Sequence, residues 1–264
     1  MDHLTSPPKR WHASALYGLG FAVNFFDTLG VGSFATTAAA LKLGRLVEDE
    51  RIPGTLNVGN ALPTVLEALL FMAIVPVDPL TLISMVLAGG VGAWCGTGVV
   101  VHWPRQQIQR AMALALLVTA TFIVLRQIDG LPSGGDARGL SGMALIIAVL
   151  ASAVIGSLTS LGIGNYAPTM AVLYLLGMSP LMVFPIMATC AALILPTAAL
   201  RFHRGGLYSR PVAWALTLGG VPGVLVAFYL VRSLEVSLLR WLVVAVLCYT
   251  CVQLYRSSRE GSIA

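Results

Sequence analysis

Asn24-Phe-Phe-Asp-Thr-Leu-Gly-Val-Gly-Ser-Phe-Ala-Thr-Thr37 is the stretch on which the reading of this chain turns. Gly30 and Gly32 break an apolar run there, and polar side chains crowd the break. The pattern returns as Leu158-Thr-Ser-Leu-Gly-Ile-Gly-Asn-Tyr-Ala-Pro-Thr169 at a constant offset: Gly162 minus Gly30, Gly164 minus Gly32, Thr169 minus Thr37 and Pro185 minus Pro53 all equal 132. A lone Gly-x-Gly carries little information. Two in matching context, each followed by a short helical apolar run and then a proline at equal distance, point to an internal duplication. Each is read as a helix broken inside a membrane, with its turn at substrate depth.

The membrane follows from composition. Of 264 residues 57% are hydrophobic and only 10% charged, and the mean hydropathy is +0.86, too apolar for a wetted surface. The apolar runs are long and nearly free of charge, which predicts helical spans rather than the alternating strands of a barrel. The net charge of +5 does not call for nucleic acid, because the basic residues lie mainly in short loops between apolar runs. Cys95, Cys190, Cys248 and Cys251 fall inside apolar runs and are expected as buried free thiols.

Working outward, residues 1–12 form a polar tail, 13–125 a first repeat, 126–140 a Gly-, Ser- and Asp-rich linker, 141–256 a second repeat and 257–264 a closing tail. In the first repeat, arms at 13–29 and 33–47 flank the break, followed by spans at about 53–75, 80–101 and 111–125. Arms at 141–161 and 165–177 and spans at about 180–200, 212–231 and 236–255 form the second. Each arm is marginal for a roughly 30 Å core that needs about 20 helical residues, so a pair is either a re-entrant hairpin or two tilted spans. If each pair enters and leaves on one side, twelve of the sixteen basic residues fall on one face and four (Arg126, Arg138, Arg232, Arg240) on the other. The positive-inside tendency then places both termini in the cytoplasm. Three spans separate the copies, so the fold class expected is an all-α polytopic bundle of two inverted-topology repeats, with a site near midplane at the broken helices.

A helix that restarts after a break presents unpaired N–H groups and the positive end of its dipole, a setting for an anion. Gly30, Gly32, Ser33, Thr36 and Thr37 supply that setting in the first half, and Gly162, Gly164, Asn165, Tyr166 and Thr169 in the second. Facing each other, they would form a cage of donors without a full charge; glycines serving close helix packing alone are the alternative. Asp27 and Glu67 are the only carboxylates inside apolar runs, and such groups are costly enough to be functional suspects. Asn24, Asp27 and Thr28 share one helical face, and Asn57, Asn60, Thr64 and Glu67 form a second polar stripe, with Asn57 a further candidate for the substrate. The second half lacks these acids, since position 159, matching Asp27, is Thr. Asp27 or Glu67 is therefore expected to exchange a proton during transport, against the alternative of interhelix hydrogen bonding.

His3, His12, His102 and His203 lie in the tail and loops, which does not suggest a metal site. No Ser-His-Asp, His-Glu-x-x-His or Gly-Lys-Ser/Thr arrangement is visible, so neither an enzyme nor an ATPase is expected, and no cofactor is called for.

Phe26-Asp-Thr-Leu-Gly-Val-Gly-Ser-Phe-Ala-Thr-Thr37, Ile52-Pro-Gly-Thr-Leu-Asn-Val-Gly-Asn-Ala-Leu-Pro-Thr64 and Gly162-Ile-Gly-Asn-Tyr-Ala-Pro-Thr169 with Phe184-Pro-Ile-Met187 resemble, in order, the blocks of the TauE/SafE family of sulfite and organosulfonate exporters. Asn60 stands where many members carry His. The resemblance implies export of a sulfur-containing anion, sulfite or a small organosulfonate, across the bacterial inner membrane. Partners expected are that anion, the lipid bilayer, protons as coupling ion and a second copy in a homodimer. The rival readings are a passive anion channel and a non-transporting membrane partner that docks through the small-residue seam at Gly89 to Gly92.

Overall fold

The computed structural model describes residues 13–30, 32–48, 51–99, 135, 137–159 and 164–233, with isolated positions within 114–124 and 238–252. Within these limits the chain forms eight helices: α1 (Ala13–Thr28), α2 (Ser33–Leu43), α3 (Ile52–Met72), α4 (Pro79–Val99), α5 (Gly142–Thr159), α6 (Tyr166–Leu175), α7 (Pro180–Gly205) and α8 (Arg210–Arg232). The spans expected at 111–125 and 236–255, the tails at both ends and most of the linker lie outside the described residues. Helices Ile52–Met72, Gly142–Thr159, Leu181–Gly205 and Arg210–Val231 are long and apolar enough to cross a bilayer, so this is a polytopic helical membrane protein.

The ends of the helices follow local chemistry. Pro53, Pro180 and Pro211 sit in first turns, where a missing N–H costs nothing. Helix α7 runs beyond the expected boundary near 200 to Gly205. Arg201 and Arg204 were expected in a loop; instead His203 and Arg204 form its last turn, at the negative end of the helix dipole, and Gly206 closes it at φ 65°.

Side-chain and backbone contacts give the direction of each helix. Along α1 and α3, Asn24 meets Asn60 and Thr28 meets Glu67, so the two run parallel. Both run parallel to α8: Tyr17 and Phe21 lie against Gly219 and Gly223, and Thr55 and Gly59 against Ser209 and Leu216. In the other half, α4 runs parallel to α5, with Met85 on Ser152 and Gly92 on Ser157, and to α7, with Gly90 on Leu193 and Trp94 on Arg201. Helices α3 and α7 are antiparallel, since Gly54 approaches Phe202 while the Phe71 and Phe184 rings pack with centroids 5.7 Å apart.

Because α1 and α3 point the same way, the chain must double back between them. Helix α2 is its return arm, and its 11 residues extend only about 16 Å, short of the roughly 30 Å of hydrocarbon. Helices α5 and α7 also point the same way, so α6 returns in the same manner.

Between helices in lipid, close packing of small residues replaces the hydrophobic effect as the force of association. A β-carbon on Gly223 would run into the Phe21 carbonyl, and one on Gly92 into the Ala153 carbonyl. The two contacts correspond: 153 minus 21 is 132, and 223 minus 92 is 131. Likewise Gly220 lies against Asn24 and Gly89 against Gly156. The seam at Gly89, Gly90 and Gly92 is thus buried under α5 and α7 and is not the exposed docking surface that sequence allowed. Cys190 is buried as expected, whereas Cys95 and Cys248 are exposed and Cys251 is half-buried. A stripe of Leu80, Ile83, Leu87 and Val91 along α4 is exposed in the same way, as a lipid-facing surface would be.

Candidate functional site

The two hairpin tips meet. Asp27, Gly32, Ser33 and Phe34 from the first break and Gly164, Asn165 and Tyr166 from the second line one small cavity, closed by Thr64 of α3 and by Ala191 and Leu195 of α7. Its volume is about 10 Å³, room for one water-sized group. A larger open depression of about 540 Å³, lined by Asp78, Arg138 and Ser141 among others, touches neither break.

Backbone geometry makes the first tip. Gly30 at φ 93° and Gly32 at φ 80°, ψ 122° occupy conformations that side chains with a β-carbon avoid, and they turn the chain from α1 into α2. Gly30 donates its N–H to the Asp27 carbonyl at 2.7 Å, closing the end of α1. The position of a β-carbon on Gly30 faces Met170, Phe184 and Met187, so this glycine packs against the other half rather than lining the cavity. Gly164, the counterpart of Gly32, does not have a positive φ, and it lies beside Phe34. Gly162 is outside the described residues.

The cage of neutral donors expected from sequence contains a carboxylate. Asp27 Oδ1 accepts a hydrogen bond of 2.6 Å from the Ser33 N–H, so the first N-terminus of α2 is held by the chain's own acid. The Ser33 hydroxyl lies beside the same carboxyl group without a well-aligned hydrogen bond of its own. Tyr166 and Asn165 approach from the second tip, and Asn165 Nδ2 reaches the Met187 carbonyl at a long 3.4 Å. The second carboxyl group, Glu67, is fully buried one layer away: Thr28 Oγ1 donates to its Oε2 at 3.4 Å, and the Tyr166 hydroxyl lies beside it. Neither Glu67 Oε1 nor the Tyr166 hydroxyl has a well-formed hydrogen bond.

The remaining candidates separate from the cavity. Thr36 and Thr37 both donate back to the Ser33 carbonyl, at 3.0 and 2.6 Å, as hydroxyls within a helix do, and neither lines the cavity. Thr169 is buried along α6 away from the lining, and Asn57 donates to the Pro53 carbonyl at 2.8 Å near the start of α3. Asn24, outside the proposed set, ties α1 to α3 by donating to Asn60 Oδ1 at 3.0 Å. Thr64 lines the cavity and was read only as part of a polar stripe, while Phe34, Ala191 and Leu195 carried no signal by residue type.

His203 Nδ1 lies 2.9 Å from the Tyr208 hydroxyl at the bundle's end, far along α7 from the cavity. The ends where Arg51, Arg204 and Arg210 gather are the starts of α3 and α8 and the finish of α7, so this basic cluster is local to one side of the bundle.

Residues 144–263, from α5 onward, match the family model described as sulfite exporter TauE/SafE. No curated protein and no solved structure matches the chain. The second hairpin tip, Gly164 to Thr169, lies inside the matched segment, so this part of the chain is similar to the TauE/SafE family.

Proposed function

We propose that this protein is a secondary transporter that exports sulfite or a small organosulfonate by alternating access around the cavity between the two hairpin tips. The family is one of membrane transporters for sulfite or related anions. The observation that carries the finer reading is the convergence of two helix N-termini, those of α2 and α6, on one buried polar cavity. Two such ends aimed at one point favour a guest with negative charge, and the absence of Lys and Arg from the lining favours its release.

Support for an inverted-topology repeat comes from direction and from pairing. Helices α1, α3 and α8 run one way and their counterparts α5, α7 and α4 the other, and Phe21 with Gly223 corresponds to Ala153 with Gly92. In that frame the two hairpins rock against each other about a shared site. The basic cluster of Arg51, Arg204 and Arg210 supports a cytoplasmic assignment for the side on which the hairpins enter, in a bacterial inner membrane with both termini inside. With the interior negative, an anion gains roughly 2.3 kcal/mol per charge per 100 mV on leaving, which favours export. Proton exchange is assigned to Asp27 and Glu67, because both carboxyl groups are buried at or beside this cavity.

Purified protein reconstituted in vesicles and offered sulfite, alkylsulfonates, thiosulfate and carboxylates tests the reading. Saturable flux of sulfite or a sulfonate, well above that of empty vesicles and of carboxylates, is expected. Flux indistinguishable from empty vesicles for every sulfur oxyanion would overturn it.

A further inference from the structure

The two hairpin tips treat their helix N-termini differently. At the first, Asp27 Oδ1 holds the Ser33 N–H at 2.6 Å. At the second, the residue matching Asp27 is Thr159, whose hydroxyl donates back to the Ile155 carbonyl at 2.8 Å, and the N-cap residue Asn165 makes no side-chain cap bond to α6. Among the described residues, one helix N-terminus is therefore held by a carboxylate and the other is not, and both front the same cavity. Two buried hydroxyls beside it, Ser33 at 1% and Tyr166 at 3% exposure, lack well-formed hydrogen bonds and line that cavity.

At about 10 Å³ the cavity cannot take an anion of sulfite size beside the Asp27 carboxylate. Something must yield, and rotation of the Asp27 side chain would both enlarge the space and free the Ser33 N–H that its carboxylate occupies. A second negative charge added next to Asp27 and Glu67 in a water-poor site would also be costly unless a proton accompanied it.

Resting on the transport reading above, we propose that Asp27 is a tethered stand-in for the transported anion, which binds by displacing it from the Ser33 amide while the Asp27 carboxylate takes up one proton. The balance is simple: the anion gains the Ser33 N–H, water supplies one H⁺ to the released carboxylate, and the site's net charge is unchanged for a monoanion. A dianion accompanied by one proton still crosses with one net negative charge, so the membrane potential still favours its exit. The other titratable groups around Asp27 are Glu67 from α3, Tyr166 from α6 and, behind Tyr166, Cys190 from α7. Glu67 is the competitor for the proton. Asp27 is thus a positioning residue that sets the order of proton and anion binding.

Methanesulfonate, which stays singly charged across the working range, is the probe, and proton uptake on its binding is read with a pH indicator in weakly buffered detergent solution between about pH 6 and 9. Uptake approaching one proton per anion, with affinity rising up to about tenfold per unit fall in pH, is expected of the unaltered protein. Asp27→Asn should bind the anion with no uptake and a flat pH profile, and Glu67→Gln should keep the uptake. Binding without uptake at any pH in the unaltered protein, or uptake that survives Asp27→Asn and disappears in Glu67→Gln, overturns the proposal while leaving the transport reading intact. Failure to bind methanesulfonate and sulfite alike would overturn both.

Discussion

Thr217 Oγ1 donates a 2.8 Å hydrogen bond to the Gly59 carbonyl, the very acceptor that Pro63 leaves without its helical donor. A proline inside α3 removes the N–H that would reach back four residues, and in a membrane no water replaces it. The replacement donor comes from α8, so the carbonyl freed one turn before the cavity residue Thr64 is satisfied by a neighbouring helix. Thr217→Val should lower stability by about 1 kcal/mol and Thr217→Ser should not. Thermal unfolding of the purified variants in detergent checks this.

The glycine contacts at the two corresponding interfaces predict a steep size limit. Gly92→Ala and Gly223→Ala place a methyl group against a backbone carbonyl on the adjoining helix, and backbone cannot step aside as a side chain can. Each should cost about 1–3 kcal/mol. Gly18→Ala, with open space around it, should be neutral. The fraction of monodisperse protein on size-exclusion chromatography separates the two classes.

The cavity glycines are not equivalent. Gly32 has φ 80°, so Gly32→Ala strains the turn itself and should reduce the yield of folded protein by about 1–2 kcal/mol of lost stability. Gly164 does not have a positive φ, and a methyl there meets Phe34 at an ordinary 3.6 Å. Gly164→Ala should fold normally and narrow the site, raising KM for a bulky sulfonate more than for sulfite in vesicle transport.

Asp78 lies in the turn between α3 and α4, outside the spans, and accepts bonds from the Thr81 hydroxyl at 2.6 Å and the Thr81 N–H at 2.8 Å. The hydroxyl first and the amide second hold its carboxyl below the ordinary value of 3.8. A depressed folded-state value adds stability that is fully present above 3.8 and disappears as pH falls through the lower folded value. Thr81→Val should flatten the acid end of the stability profile and leave the neutral end less stable; unfolding midpoints from pH 3 to 7 (about the range of a carboxyl titration) read both.

Much of this arrangement could be read from residue order. The two Gly-x-Gly breaks, their common offset and the lengths of the arms pointed to two tips at one site, and Gly32, Ser33, Gly164, Asn165 and Tyr166 do share the cavity. What escaped is what depends on turn geometry and distant packing. Asp27 lies six residues before Ser33, and only the positive φ of Gly30 and Gly32 brings its carboxyl back to that amide. Ala191 and Leu195 reach the cavity because α7 lies antiparallel to α3, which no local pattern encodes. Thr37 carried its own warning: it follows Ser33 by four residues, the spacing at which a hydroxyl is spent on its own helix.

A structure of the protein with sulfite bound tests the central claim most directly. The account predicts the anion between Ser33 on one tip and Asn165 and Tyr166 on the other, with the Asp27 carboxyl turned away from the Ser33 amide. Sulfite seated elsewhere, such as the outer depression at Arg138, with the bond from Ser33 to Asp27 intact, would contradict it.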